Sequence, residues 1–410
     1  MPPDVPVPQS KFQELEEDIM GQRYAIIGTG RQGTAAAYDL GLYAEAEFIL
    51  MADSDPAAAE AAAERVNTLL GRDLAHPTAL DARDQAGVIS ELEEHGVQAM
   101  LAATPYFMNL GLTQAAISAG IHMTDLGGNS EVVFAQLKLS ARAAKAGISI
   151  VPDCGLGPGM ITTLALYAME ALDQAQDVFI WDCGLPQHPT GPWNYSLGFS
   201  IEGLTNEYDG DCVFIREGKT TLVPALEELE RVEFPAPIGE LEAFTTAGGI
   251  TSAARSFAGK LRTLQNKTMR YPGHYAALKV IQQLGLLSIE PIEIDGHQVS
   301  PRSVLHALWE PQIRAKADEA DLALIRTLAV GTLDGKPAQA QVDLQLVYDE
   351  KTGFTAMEQG TGWHASIFTA AVAAGEVEPG VVPVELALTG EAFVHQAARR
   401  GFDIRRELRT

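Results

Sequence analysis

Short apolar runs alternate with longer segments whose apolar positions recur at helical spacing through the first third of the chain. The runs Tyr24–Gly28, Glu47–Ala52, Val97–Ala103, His122–Asp125 and Ile148–Val151 read as strands buried on both faces. Between them lie predicted helices over Thr34–Leu40 (stopped by Gly41), Pro56–Leu70, Leu110–Ala119 and Glu131–Lys145. Such alternation predicts a doubly wound parallel sheet with right-handed crossovers, a Rossmann-type α/β fold. In sheets of this kind ligands sit beyond the carboxyl ends of the strands. That rule selects Thr104, Pro105, Asp125, Gly127, Asp153 and Cys154.

Beyond Gly159 the pattern changes. After a helix at Met160–Leu172, period-2 runs predict strands at Val178–Leu185, Tyr195–Gly203, Cys212–Gly218, Phe244–Gly249 and Leu261–Tyr271. A long hairpin, Leu324–Asp349, turns at Asp334-Gly335. Helices are expected at Tyr275–Leu284 and Ser303–Trp309, and again in the tail at His364–Ala374 and Gly390–Gly401. These elements predict a second, antiparallel α+β domain. The expected boundaries are an N-terminal arm at 1–21, with a short helix at Phe12–Met20, and a dinucleotide domain at 22–155 plus 360–410. A substrate, catalytic and dimerisation domain takes 156–359.

The first strand runs straight into GTGRQG, with Gly28, Gly30 and Gly33 flanking Arg31 and Gln32. The glycines suit a tight turn, close approach of pyrophosphate and close helix–strand packing, and the helix N-terminus offers free N–H groups. The second strand ends at Asp53, about 20 residues further on, where an acid binds the adenosine ribose and repels a 2′-phosphate. NAD is therefore the expected cofactor, although Arg31 beside the turn would tolerate NADP. A net charge of −25 (29 basic against 54 acidic residues) disfavours nucleic acid and anionic membranes as partners. With no apolar run of membrane-spanning length and no secretory signal, the expected location is the cytoplasm. Cys154, Cys183 and Cys212 lack metal-ligand spacing, so no metal is expected.

An ordered series of segments then carries a resemblance: TDLGGN (Thr124–Asn129), VPDCGLGPGM (Val151–Met160), GLPQHPTGPWNYSLGFSIEGLTNEY (Gly184–Tyr208), VPALEELE (Val223–Glu230), LEAFTTAGG (Leu241–Gly249), KTMRYPGH (Lys267–His274) and TGWHASI (Thr361–Ile367). The chain resembles the saccharopine dehydrogenase superfamily, most closely its lysine 6-dehydrogenase branch. The resemblance implies NAD-dependent oxidation of the lysine side-chain amine to the 6-semialdehyde with release of ammonia, in a homodimer or higher homo-oligomer. In saccharopine reductases the strand matching Ser200–Gly203 tends to carry an arginine for a second substrate carboxylate. Glu202 stands there in this chain, which favours an uncapped amine.

Such chemistry needs a proton acceptor for the ammonium, a cation for the α-carboxylate and a water-poor cleft. Asp125 and Asp153, each following a strand, are the candidate acceptors, or else caps of their glycine turns. Arg270 is the candidate carboxylate ligand, or half of a structural ion pair, and His274 a proton relay. Asn194, Tyr195, Glu202 and Thr246 are placed on the substrate wall, although alternation sets Tyr195 opposite Asn194 and Glu202. Cys154 reads as a small apolar filler, His76 and His297 as surface, Trp193 and Trp363 as packing residues. Two rival functions remain: a reductase forming a secondary amine, such as saccharopine or carboxynorspermidine, and a non-catalytic NAD-binding scaffold or sensor.

Overall fold

The computed structural model describes residues 21–250, 252–316 and 319–410; the helix expected at Phe12–Met20, and all of the expected arm but Gly21, lie outside them. Strands β1 (Gln22–Ile27), β2 (Ala46–Asp53), β3 (Ala75–Ala79), β4 (Ala99–Ala102), β5 (His122–Asp125) and β6 (Ser149–Val151) are joined in one sheet by Gly380–Val381 from the tail. The spatial order is tail strand, β6, β5, β4, β1, β2, β3, every pair parallel. The order reverses between β1 and β4, and a ligand crevice belongs at that switch point. Helices α1 (Arg31–Tyr43), α2 (Pro56–Leu70), α3 (Gln85–Glu94), α4 (Asn109–Ala119), α5 (Ser130–Leu137) and α6 (Ser140–Ala146) make the crossovers. β4 is buried along its whole length, which its uninterrupted apolar sequence requires. β3 (AHPTA) carries too little apolar signal to be read from the sequence, and its Pro77 is tolerated because the strand is an edge.

The chain leaves this sheet through α7 (Met160–Met169) and enters a second sheet at β7 (Gln174–Pro186). That sheet has nine strands and is mixed, which corrects the antiparallel expectation: Thr263–Arg270 runs parallel to β7, while Asp321–Leu333 runs antiparallel on its other side. The long hairpin turns at Asp334 (φ 51°) and Gly335 (φ 72°), a left-handed pair suited to a two-residue turn.

One expected strand is absent. Tyr195–Ser200 is an irregular strap, and helix α8 (Ile201–Glu207) follows it. Ser200 caps that helix, its hydroxyl accepting from the Gly203 N–H at 3.1 Å. Ile201, Leu204 and Thr205 are its buried positions, with Tyr208 buried just after it, a 3–4 spacing that fits a helix and not a strand.

The tail divides between the sheets. Helix His364–Ala373 packs on α1, β4 and β5, Gly380–Val381 extends the first sheet, and Arg405–Arg409 pairs with Lys336–Val347 in the second. Among the described residues no helix is long and apolar enough to cross a membrane, and no cluster of His, Cys, Asp or Glu suits a metal ion.

Candidate active site

The glycine turn begins the site. Gly28 has φ 98°, and a Cβ there would lie 2.6 Å from the Ala103 carbonyl oxygen. At Gly33 a Cβ would lie 2.1 Å from the Gly28 carbonyl oxygen, so α1 packs against the turn only without a side chain. Around Gly30 nothing stands within 4 Å of a Cβ position, and the residue faces a cavity of about 500 Å³. The first turn of α1 has no acidic residue and no side-chain cap, which leaves its N–H groups and dipole for an anion. Gln32 Oε1 and Thr104 Oγ1 are buried without a hydrogen-bond partner among the described residues, and both residues line the cavity. Open space, free N–H groups and orphaned polar atoms together fit a dinucleotide laid over Gly30, Arg31, Gln32, Thr104 and Pro105.

Asp53 sits at the end of β2 and turns its carboxylate to the glycine loop. Oδ2 accepts from Thr29 N at 2.9 Å and Thr29 Oγ1 at 3.2 Å, and Oδ1 accepts from Asp55 N at 3.0 Å. Arg31 points elsewhere. Its Nη2 donates to the Lys316 carbonyl at 3.1 Å, and Nε lies 3.9 Å from Glu358 Oε1, so the guanidinium bridges to the second domain.

The cavity lies between the domains. Gly127, Gly128 and Gly157 line it from the first half; Asp182, Tyr195, Phe199, Glu207, Arg270 and Arg314 line it from the second. Asn206 ties the halves together, its Nδ2 donating to the Gly128 carbonyl at 2.9 Å.

Of the expected acceptors, Asp125 stands behind the wall and is fully buried. Its Oδ1 accepts from Gly127 N at 2.8 Å and Asp153 N at 3.2 Å, and its Oδ2 from Gln136 Nε2 at 2.6 Å. Burial pushes its carboxyl up, and those three donors act against the shift. Asp125 thereby braces the two glycine-rich loops that form the cavity floor. Asp153, buried at φ 65°, is not on the cavity wall either. Cys154 is buried and its thiol is held protonated, first by burial and then by Asp125 and Asp153.

His274 lies one layer behind Arg270. Burial, and then the Arg270 charge, push its imidazole down to about 3 despite a bond to the Trp193 carbonyl, so it is neutral. Its Nδ1 is 3.0 Å from that carbonyl, which only accepts, so the ring proton is on Nδ1. Nε2 then accepts from Tyr208 Oη at 3.2 Å, and Tyr208 Oη accepts from Arg270 Nε at 3.1 Å. This chain fixes the plane of the guanidinium. Nη1 of Arg270 donates to the Met269 carbonyl at 3.0 Å, and Nη2 meets Glu207 Oε2 at 3.3 Å. Burial works against the Arg270 charge, but Tyr208, Tyr195 and Glu207 around it hold the group above its ordinary value.

Three expected wall residues are elsewhere. Glu202 is exposed on the first turn of α8, away from the cavity, because the segment coils where a strand was expected. The comparison of Glu202 with an arginine therefore says nothing about the cavity. Asn194 is at φ 46° outside it, and Thr246 reaches it only through Thr268, with the two hydroxyls 2.7 Å apart.

In their place stand two carboxylates that the sequence reading passed over. Asp182 is 8% exposed, and its Oδ1 has no hydrogen-bond partner among the described residues. Burial pushes it up to about 7 against the pull of Arg270 and a hydrogen bond from Asn266. Glu207 is likewise raised to about 7, by burial first, with Arg270 lowering it and Asp182 raising it. Asp182 was legible: along β7 it shares a face with Val178 and Ile180, an acid on an apolar stripe. Glu207 carried no such mark.

Two family models match the chain, one described as the saccharopine dehydrogenase NADP binding domain over residues 24–151 and one as its C-terminal domain over residues 155–401. Among curated proteins, saccharopine dehydrogenase [NADP(+), L-glutamate-forming] of Pyricularia oryzae is 25% identical over 222 residues, 52% of this chain and 48% of that protein. Carboxynorspermidine synthase of Vibrio cholerae is 22% identical over 271 residues, 63% of this chain and 64% of that one. These matches span only about half to under two thirds of the curated relatives' length. Apo saccharopine dehydrogenase (L-Glu forming) from Saccharomyces cerevisiae shares the fold, with a TM-score of 0.74 at 16% identity over 95% of this chain and 100% of that one.

Proposed function

The chain belongs to the saccharopine dehydrogenase family, and from that premise we propose that it oxidises the amine-bearing side-chain carbon of an amino acid with a nicotinamide cofactor. L-lysine is the proposed substrate, NAD the proposed cofactor, and the 6-semialdehyde and ammonia the products. The observation that carries this reading is one cavity at the carboxyl edge of the nucleotide sheet that brings the buried carboxylate of Asp182 and the half-buried one of Glu207 together with the guanidinium groups of Arg270 and Arg314. A zwitterion with a second amine needs both signs of charge, and an apolar or neutral ligand needs neither. The choice of NAD is supported by Asp53, a carboxylate held at the end of β2 beside the glycine turn, where an acid disfavours a 2′-phosphate.

Gly30, Arg31, Gln32, Thr104 and Pro105 would hold the dinucleotide, whose nicotinamide would supply the hydride acceptor when bound. The protein's own residues supply the rest. Gly127, Gly128 and Gly157 let the substrate lie close to the backbone, and Tyr195 and Phe199 exclude water from one wall. The carboxylates accept the ammonium proton that must leave before hydride can.

A second reading has its own support. Arg314 is a second guanidinium on the cavity, and it suits a secondary amine with more than one carboxylate, such as the saccharopine of one relative's name. The assay that separates them follows NAD and NADP reduction with L-lysine, saccharopine and diaminopimelate side by side, with ammonia measured. Lysine-dependent reduction with stoichiometric ammonia is expected. Turnover of saccharopine alone, without ammonia, replaces the lysine reading with the second. No turnover of any of the three amines leaves the dinucleotide-binding scaffold.

A further inference from the structure

We infer that Asp182 and Glu207, sharing the charge of Arg270, form the site that takes the substrate's reacting ammonium and receives its proton, with Arg270 as their counter-ion and not the grip on the substrate carboxylate. This rests on the amine-oxidation reading above. The geometry is specific. Arg270 already pairs with Glu207 at 3.3 Å and is tied by Tyr208 and the Met269 carbonyl, so its charge is engaged before any substrate enters. Asp182 lines the same cavity with Oδ1 unpartnered among the described residues.

With both acids ionised the trio carries one net negative charge in a buried place, which a substrate cation cancels. The charged groups facing this pair are few. Arg270 comes from strand Thr263–Arg270 and Glu207 from α8; Arg314 lines the same cavity with its charge paired to Glu310; the position of Asp321–Leu333 beside Asp182 is Ile325, and α7 has no charged residue. Cys183 follows Asp182 on its own strand, and burial keeps its thiol protonated.

The step balances. R–CH2–NH3⁺ gives its proton to the carboxylate pair; hydride with its two electrons then leaves that carbon for the oxidised nicotinamide, and R–CH=NH2⁺ remains. Water adds to it, and ammonium departs to leave R–CHO, so one proton stays with the protein or its buffer. A lysine amine near 10.4 outcompetes an ordinary carboxylate near 4 for that proton by about six powers of ten. With both carboxyls near 7 the gap is roughly halved.

The experiment uses whichever of the three amines the wild-type protein oxidises. In wild type, kcat/KM should fall as pH drops through about 7, because the pair is then protonated and cannot accept. Asp182→Asn and Glu207→Gln should each lower kcat by about a hundredfold or more and move that limb to lower pH, since the remaining acid has Arg270 to itself. Calorimetric titration of the amine into the NADH-bound protein at pH 6, in two buffers of different ionisation heat, should show proton release in wild type and its loss in Asp182→Asn. Arg270→Lys, which loses the fork held by Tyr208 and the Met269 carbonyl and so loosens the counter-ion, should move the limb to higher pH more than it raises KM; a steep rise in KM with an unmoved limb would return Arg270 to the carboxylate. Should Asp182→Asn fail to fold, Glu207→Gln, with a quarter-exposed side chain (26%), carries the test alone. Turnover with unmoved limbs in the folded variants overturns this assignment alone, and a wild type inert toward every amine overturns the function and the assignment together.

Discussion

Asp53 shows how one side chain serves two purposes at once. Its oxygens hold Thr29 and Asp55, which sets the turn before α1, and under the proposed function the same fixed charge guards the ribose end of the dinucleotide. Asp53→Asn separates the two, because an amide oxygen still accepts from Thr29 N while the charge is gone. We expect it to narrow the preference for NAD over NADP by about ten- to a hundredfold in kcat/KM, since a hydrogen bond to a charged group contributes about 1.5–3 kcal/mol. The melting temperature should barely move. Equal efficiency of the wild type with both cofactors would falsify the role. At the same scale, Asp182 was legible as an acid on the apolar face of β7, whereas Glu202 marks the limit of reading single residues. Only the coil of the backbone into α8 decides that it faces water and not the cavity.

Among elements, the parallel sheet was legible because strands buried on both faces must be apolar throughout, and the GTGRQG turn names its own geometry. The strap before α8 was not. Trp193, Tyr195, Leu197, Phe199 and Ile201 alternate as a strand does, yet Leu197 finds a lone bridge to Arg314 and the run coils into helix. Short alternation cannot report whether a partner strand exists. The glycine turn makes a sharper test of element geometry. Gly33→Ala sets a Cβ against backbone that cannot yield, so a loss of about 2 kcal/mol or more in stability is expected, along with cofactor binding. Gly30→Ala meets open space in the free protein and should fold normally while losing cofactor affinity by tenfold or more. Thermal melts and cofactor fluorescence titrations distinguish the two. Equal destabilisation by both would mean that the space at Gly30 is not reserved for a ligand.

At the scale of the whole molecule, the tail after Thr361 joins the site's two halves, feeding one strand to each sheet. One of its ties to the nucleotide domain is a buried ion pair. Arg400 Nε donates to Asp39 Oδ1 and Oδ2 at 2.9 and 2.8 Å, and Ser366 donates to the same carboxylate. Asp39 lies on α1, whose N-terminus carries Gly30, Arg31 and Gln32 into the cavity. Burial pushes the Asp39 carboxyl up, and Arg400 acts against it. Removing the arginine in Arg400→Ala leaves burial with less opposition, and a stranded buried charge costs about 3–5 kcal/mol. The sign with pH then follows. A carboxyl whose folded value is raised binds more protons folded than unfolded, so stability falls as pH rises between the unfolded value near 4 and the raised one. The Arg400→Ala deficit should therefore be larger at pH 8 than at pH 5, measured by denaturant unfolding against wild type at each pH. Adding Asp39→Asn to Arg400→Ala should recover part of the loss and flatten its pH dependence. A deficit that is small and equal at both values would show the pair to be solvated, and the tail would then be held to α1 by its apolar contacts alone.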